Sequence, residues 1–148
     1  MTEDQLPARV KTPRHLWAIG ILALLWDAVG AFDYFMTQTQ NEAYMGQFTQ
    51  EQLEFFYGFP AWVTALWAIA VWGGLLGAIL LLLRKAFAAP VLLVSFIAMA
   101  LTAFHNFVLS NGMEIMGQVG TIFSAVIFMI ALGLWFYARA MQKRGVLT

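Results

Sequence analysis

The sequence predicts an all-α polytopic membrane protein: four transmembrane helices in an antiparallel bundle, with one short interfacial helix in the outer loop. Three observations carry that expectation. Four apolar segments, at about 16–36, 61–83, 87–109 and 119–138, each match the roughly 20 residues needed to cross a hydrocarbon core. Only 11% of the 148 residues are charged while 61% are hydrophobic, and a soluble domain carries about 25% charged residues. All eight Lys and Arg residues fall on one side of a four-span drawing.

Composition excludes several classes at once. So few charges cannot coat a globule of this size, so neither a conventional soluble enzyme nor a disordered chain fits. The formal net charge is zero, which removes the basic field that nucleic acid requires and excludes it as a partner. The absence of cysteine excludes a disulfide framework, a thiolate metal site and thiol redox chemistry. Lipid offers the backbone no hydrogen bonds, so the four segments must be helices. Four spans leave little chain over, and residues 1–148 read as a single membrane domain.

Direction follows from the basic residues. Arg9, Lys11 and Arg14 precede the first span, Arg84 and Lys85 join the second to the third, and Arg139, Lys143 and Arg144 follow the fourth. The opposite side holds Glu42, Glu51, Glu54 and Glu114. The positive-inside rule places both termini and the short middle loop in the cytoplasm. Arg14 followed by Leu16–Leu25 imitates a signal peptide. The apolar stretch continues past Asp27 to Met36 without a convincing A-x-A site, so the first span is expected to be retained.

Residues Thr37–Gly58 form the long outer connection. Thr49 with Gln52 makes a capping box, Phe48 and Leu53 have staple spacing, and Glu51 adds favourable charge to the first turn. Gly58 ends this helix, and Pro60 opens the second span, where its missing N–H costs nothing. Phe55, Phe56, Tyr57, Phe59 and Trp62 follow as an outer aromatic belt. The segment reads either as an anchored interfacial helix or as a lid over an outward-facing cavity. The stretch before it, TQTQNEAYMGQ, reads as a solvated loop or an entrance lining.

Gly73 and Gly77 form a G-x-x-x-G pair extended by Ala70, and Gly120 with Ser124 offers a second small-xxx-small pair. Small residues let helix backbones approach closely, within one chain or between chains. Ser110, Asn111 and Gly112 signal the turn that closes the outer hairpin. Trp17, Trp135 and Tyr137 mark the inner interface.

Polar residues inside the spans are the candidate site. Asp27 lies near the bilayer centre, where a carboxylate costs about 2.5–3.5 kcal/mol, so it is expected to face the bundle interior. Asp33 and Tyr34 lie nearer the outside, and His105 and Asn106 sit at matching depth in the third span. Asn111, Glu114 and Gln118 extend the polarity outward, which suggests a vestibule with Asp27 at its floor. Asp27, Asp33, Tyr34, His105 and Asn106 are the candidate ligand or proton site, with His105 as relay; the bland alternative is a satisfied network that sets helix register. One His with nearby carboxylates is too few ligands for a metal centre. His15 and His105 lie at opposite faces and cannot ligate one haem. No nucleophile motif, phosphate loop or catalytic constellation is present, so neither catalytic residues nor a cofactor are expected.

The strings LLWDAVGAFDYFMTQTQNEAYMGQFTQEQL, FYGFPAW, VWGGLLGAILLLLRK and NGMEIMG together resemble a family of small proteobacterial inner-membrane proteins, some of whose members are labelled sugar transporters. The resemblance covers nearly the whole chain and carries no established site residues. Asp27 is also loosely similar in placement to the essential acidic residue in the first helix of small multidrug-resistance transporters, which have four spans and work as dimers.

The leading expectation is therefore an oligomeric four-helix inner-membrane protein that binds or moves a small solute, with Asp27 as a proton-coupling group. Four helices are few to enclose a path, hence the homo-oligomer. The alternative is a non-catalytic accessory or assembly subunit of a larger membrane complex, and a weaker third reading is a membrane-embedded enzyme or sensor. The orientation has a direct test. Cysteines introduced at Gln47 and Gly117 react with an impermeant thiol reagent in intact cells, and cysteines at Thr12 and Gln142 do not; labelling of the second pair reverses the topology.

Overall fold

The computed structural model describes residues 10–148; Arg9 lies outside the described residues. Among them the elements are all helical. They run α1 (Arg14–Gln38), α2 (Glu42–Met45), α3 (Gln50–Tyr57), α4 (Ala61–Leu82), α5 (Ala88–Phe104), a π-helical turn (His105–Leu109) and α6 (Gly112–Lys143). Four of these segments, with the π turn continuing α5, are long and apolar enough to span a membrane. The chain is an integral membrane protein built as a four-helix bundle.

The spans pack in chain order, α1 on α4, α4 on α5, α5 on α6, and α4–α5 is the most extensive contact. The apolar pattern is inverted relative to a soluble bundle. Large side chains such as Leu22, Leu25 and Val29 of α1 point outward, where lipid solvates them. Small residues line the contacts, because van der Waals packing rather than water exclusion drives helix association in lipid.

Helix α4 has two such faces. Gly73 abuts Ser95 of α5 so closely that an added Cβ would lie 3.3 Å from the serine Cβ, and Gly77 abuts Leu92. The Ser95 hydroxyl donates to the Ala70 carbonyl at 2.6 Å. The G-x-x-x-G face with Ala70 thus meets α5 of the same chain. The adjacent stripe, one residue on, presents Val71 and Gly74 to α1 and carries the fully buried Ala78. There Gly30 approaches Val71, and Gly20 receives Leu82, whose Cδ2 would be 2.5 Å from an added Cβ. Gly120 behaves differently. Its nearest neighbour is Met116 of the same helix, and Ser124 beside it is half-buried.

Helix ends explain the connections. α1, α4 and α6 each finish in a Schellman motif. The residues that turn left-handed are Gln40, Arg84 and Gly145, and the paired bonds are Gln40 N–H to Thr37 and Asn41 N–H to Met36, with equivalents at 84/85 and 145/146. The reversal at Gly145 tucks Val146 and Leu147 under the bundle. They join Leu16, Leu81, Ala88, Leu92, Ala138 and Met141 in a buried cluster at the inner end, and Thr148 N–H reaches the Arg84 carbonyl at 3.0 Å.

At the outer end the expected α3 is present with its capping box: Gln52 N–H donates to Thr49 Oγ1 and Thr49 N–H to Gln52 Oε1, both at 3.1 Å. The loop before it is not merely solvated. It holds α2, capped by the Asn41 side chain, with Met45 buried. Two further departures concern the spans. The third is not a uniform α-helix, since its last turn widens to a π turn from His105. The fourth begins earlier than 119, at Gly112, and breaks at Gly117 (φ 73°, ψ −175°). Only glycine occupies that backbone region readily.

These contacts generate a prediction. The double substitution Gly73→Leu with Gly77→Leu forces α4 off α5 and lowers thermal stability by about 2–3 kcal/mol or more. The detergent-resolved mass stays unchanged, because the face is already filled within one chain. A change in oligomer mass without loss of stability contradicts this packing.

Candidate functional site

The polar residues picked out from sequence separate into two groups, and their surroundings differ. Asp27 lies where α1 crosses α4. The crossing brings Gly74 opposite the carboxyl: an added Cβ at 74 would be 3.0 Å from Oδ1 and 3.2 Å from Cγ. Glycine is what leaves room for the acid. Among the described residues the buried Oδ2 has no hydrogen-bond partner. Thirteen residues of helix separate Asp27 from Arg14 at the inner end, so the carboxyl is about 20 Å from that end.

Several members of the outer group find hydrogen-bond partners nearby. Asp33 Oδ1 accepts from the Tyr44 hydroxyl at 2.5 Å, tying α1 to α2. Thr37 donates to the Asp33 carbonyl at 2.7 Å. Thr102 and Thr121 return their hydroxyls to carbonyls four residues back. His105 is buried, with Nδ1 at 3.1 Å from Asn106 Oδ1 and Nε2 at 3.5 Å from Ser110 Oγ. Among the described residues the hydrogen-bond partners of His105 are Asn106 and Ser110 and not an aspartate, so the geometry supplies no direct Asp27–Asp33–His105 relay.

Aromatic rings fill the space between these polar groups. His105 is clasped edge-on by Phe59 and Trp62, at 5.9 and 5.3 Å between centroids. Phe59 meets Trp67 at 6.0 Å, and Trp67 meets Tyr34 at 4.9 Å. Tyr34 also approaches Trp72. On the other side Tyr44 packs on Phe32 and Phe48, and Phe48 on Phe56. Edge-to-face pairs of this kind contribute about 0.5–1.5 kcal/mol each beyond area burial. The outer end is thus roofed by an aromatic lattice that α2 and α3 complete. Gln52 Nε2 fastens the roof to α6 by donating to the Ile115 carbonyl at 3.3 Å.

Sequence reasoning brought Asp33, Tyr34, His105 and Asn106 to the outer end, and the structure places them there. It separates them from Asp27, which has a different environment. Tyr44, Trp67 and Gly74 were missed. The signal for Gly74 was present in the spacing 67, 71, 74, 78, a second helical stripe offset by one residue from the G-x-x-x-G stripe. Tyr44 carries no such signal, because its partner is eleven residues away on another helix.

No family model, no curated protein and no solved structure matches this chain. The reading of the site therefore rests on its geometry.

The Tyr44–Asp33 contact is measurable. Burial, then the hydrogen bond to Asp33 and the charge of that carboxylate, push the Tyr44 phenol from 10.0 up to about 12, with Gln47 opposing. A folded value above the unfolded one means that the unfolded chain releases the proton first. The contribution of this phenol to stability is present in full below pH 10. It is lost between about pH 10 and about pH 12. Ultraviolet titration shows a late tyrosinate component that Tyr44→Phe removes, and the same variant loses about 1 kcal/mol of stability at neutral pH. A Tyr44→Phe titration identical to wild type refutes the contact.

Proposed function

We propose that this chain is an inner-membrane protein, both termini cytoplasmic, that assembles as an oligomer and binds or moves a small solute through exchange of a proton or cation at Asp27. The observation that carries the reading is the Asp27 carboxyl at mid-membrane, held in a space kept open by Gly74, with one oxygen that has no hydrogen-bond partner among the described residues. Ionisable side chains at this depth are costly and are functional in most cases. Asp33, by contrast, accepts a hydrogen bond from the Tyr44 hydroxyl.

The oligomer is supported by α6. None of its most apolar 18-residue window is buried within the chain, and its side chains Ile122, Ala125, Val126, Met129 and Ile130 line an apolar groove. Transport through a bundle this narrow needs a second subunit to complete a path.

A second reading is favoured by the same face. As an accessory subunit of a larger membrane complex, the chain would dock a partner along α6, and its satisfied outer network would be structural. The two readings divide on Asp27. A working exchange site is reached by protons, whereas a structural acid is sealed.

Infrared difference spectra between two pH values decide this. The expected result is a carboxyl band that shifts in D2O and disappears in Asp27→Asn, while helical content and thermal stability stay equal or rise, because the amide keeps the shape and adds a donor. Gly74→Ala perturbs the same band, since its methyl group presses on the carboxyl. Absence of any Asp27-dependent band, or one that fails to exchange with D2O, removes the solute-exchange reading and leaves the accessory one.

A further inference from the structure

At the inner end, residues of α5 and α6 line a groove of about 430 Å³. Its floor and one wall are apolar, from Pro90 and Leu93 of α5 and Trp135 of α6; its rim is polar, from Arg139, Gln142 and Lys143. These α6 residues recur at i, i+4, i+7 and i+8, so one helical face carries them all. The Arg139 guanidinium lies 5.7 Å from the centre of the Trp135 ring, a cation–π contact that orients the cation beside the groove. The first turn of α5 opens onto the same space, since Ala89 and Pro90 line it, and this is the positive end of a helix dipole.

Among the described residues the side-chain charge around the groove is one-sided. Of those residues this end holds Lys11, Arg14, Arg84, Lys85, Arg139, Lys143 and Arg144, and the first Asp or Glu among them is Asp27, near mid-membrane; Glu3 and Asp4 lie outside the described residues. Arg139 and Lys143 are both exposed. An occupant must therefore supply negative charge at the rim and hydrocarbon below it. It must also be present at the depth where Trp135 marks the membrane interface.

We propose that this groove binds an anionic phospholipid, with its phosphate between Arg139 and Lys143 and an acyl chain descending past Trp135 and Leu93. Arg139 supplies the planar, multidentate donor that suits a phosphate; Lys143 supplies the second charge, and Gln142 a neutral donor for headgroup oxygens. Basic pockets between transmembrane helices are recognised sites for acidic headgroups. The inference goes beyond solute binding and does not depend on Asp27, so it stands or fails separately.

The test uses the full chain in a mild detergent, with native mass spectrometry and thermal melting as readouts. The probes are palmitoyl-oleoyl phosphatidylglycerol and phosphatidylcholine, which share acyl chains and differ in charge, together with inorganic phosphate. Each basic side chain near a membrane surface is worth about fivefold in affinity for acidic lipid, so the pair gives roughly a 25-fold preference for phosphatidylglycerol. Arg139→Gln with Lys143→Gln abolishes most of that preference and of the lipid-induced rise in melting temperature, with helical content unchanged. Lys85→Gln with Arg144→Gln, an equal loss of charge at the same end but outside the groove lining, keeps both. Equal loss in the two double variants overturns the site, because the preference then belongs to the basic face as a whole. Absence of a preference in the unmodified chain overturns it as well. Displacement of bound lipid by inorganic phosphate at matched concentration assigns the groove to a free anion and refutes the lipid.

Discussion

Helix α4 is held against two neighbours at once, and that double contact organises the bundle. A helix can approach others closely only where its surface is small. α4 meets this requirement on two stripes one residue apart, Ala70–Gly73–Gly77 toward α5 and Val71–Gly74–Ala78 toward α1. The Ser95 hydroxyl, bonded to the Ala70 carbonyl, adds the one kind of directional force that lipid cannot replace. With α1 and α5 seated on α4, bulky side chains have nowhere to go but outward. The lipid-facing surface is thus a consequence of the small-residue interior.

The same packing explains why Asp27 differs from the other polar residues. It sits on the α1 stripe that meets Gly74, where the helices are too close for another polar side chain to intervene. Asp33 is one and a half turns further out, where the outer connection can bend over it and supply Tyr44. Depth and crowding together leave one carboxyl without a partner and give the other a short hydrogen bond.

The two ends of the molecule are closed by different means. Outside, Phe59 and the α4 residues Trp62 and Trp67 lay aromatic rings over His105 and Tyr34, Tyr44 of α2 and Phe56 of α3 extend the lattice, and the π turn from His105 widens the end of the third span. π turns occur often at functional positions, and here one supports the His105–Asn106–Ser110 set. Inside, the chain end after Gly145 folds under the bundle and fills the space with Val146 and Leu147. α6 packs chiefly on α5 and meets α1 through side chains such as Phe123 on Trp26 and Tyr137 on His15. That loose seating leaves its outward face bare and opens the basic groove beside Arg139.

Sequence by itself determined the number of spans, the short helix at 50–57 with its cap, and the concentration of basic residues at one end. Each of these depends on local composition or on contacts within one turn. The G-x-x-x-G face was legible as a close-packing surface, because spacing alone places Gly73 and Gly77 on one side of a helix. Which helix it meets was not, since any small-faced neighbour satisfies the same pattern. Only the tertiary structure decided that Gly74 faces Asp27, that Tyr44 is spent on Asp33, that His105 lies among Phe59 and Trp62 rather than beside an aspartate, and that α6 stays uncovered. Those outcomes depend on how helices distant in sequence rotate and cross. Rotation is set by the sum of many small contacts across the bundle, and no local stretch of sequence contains that sum.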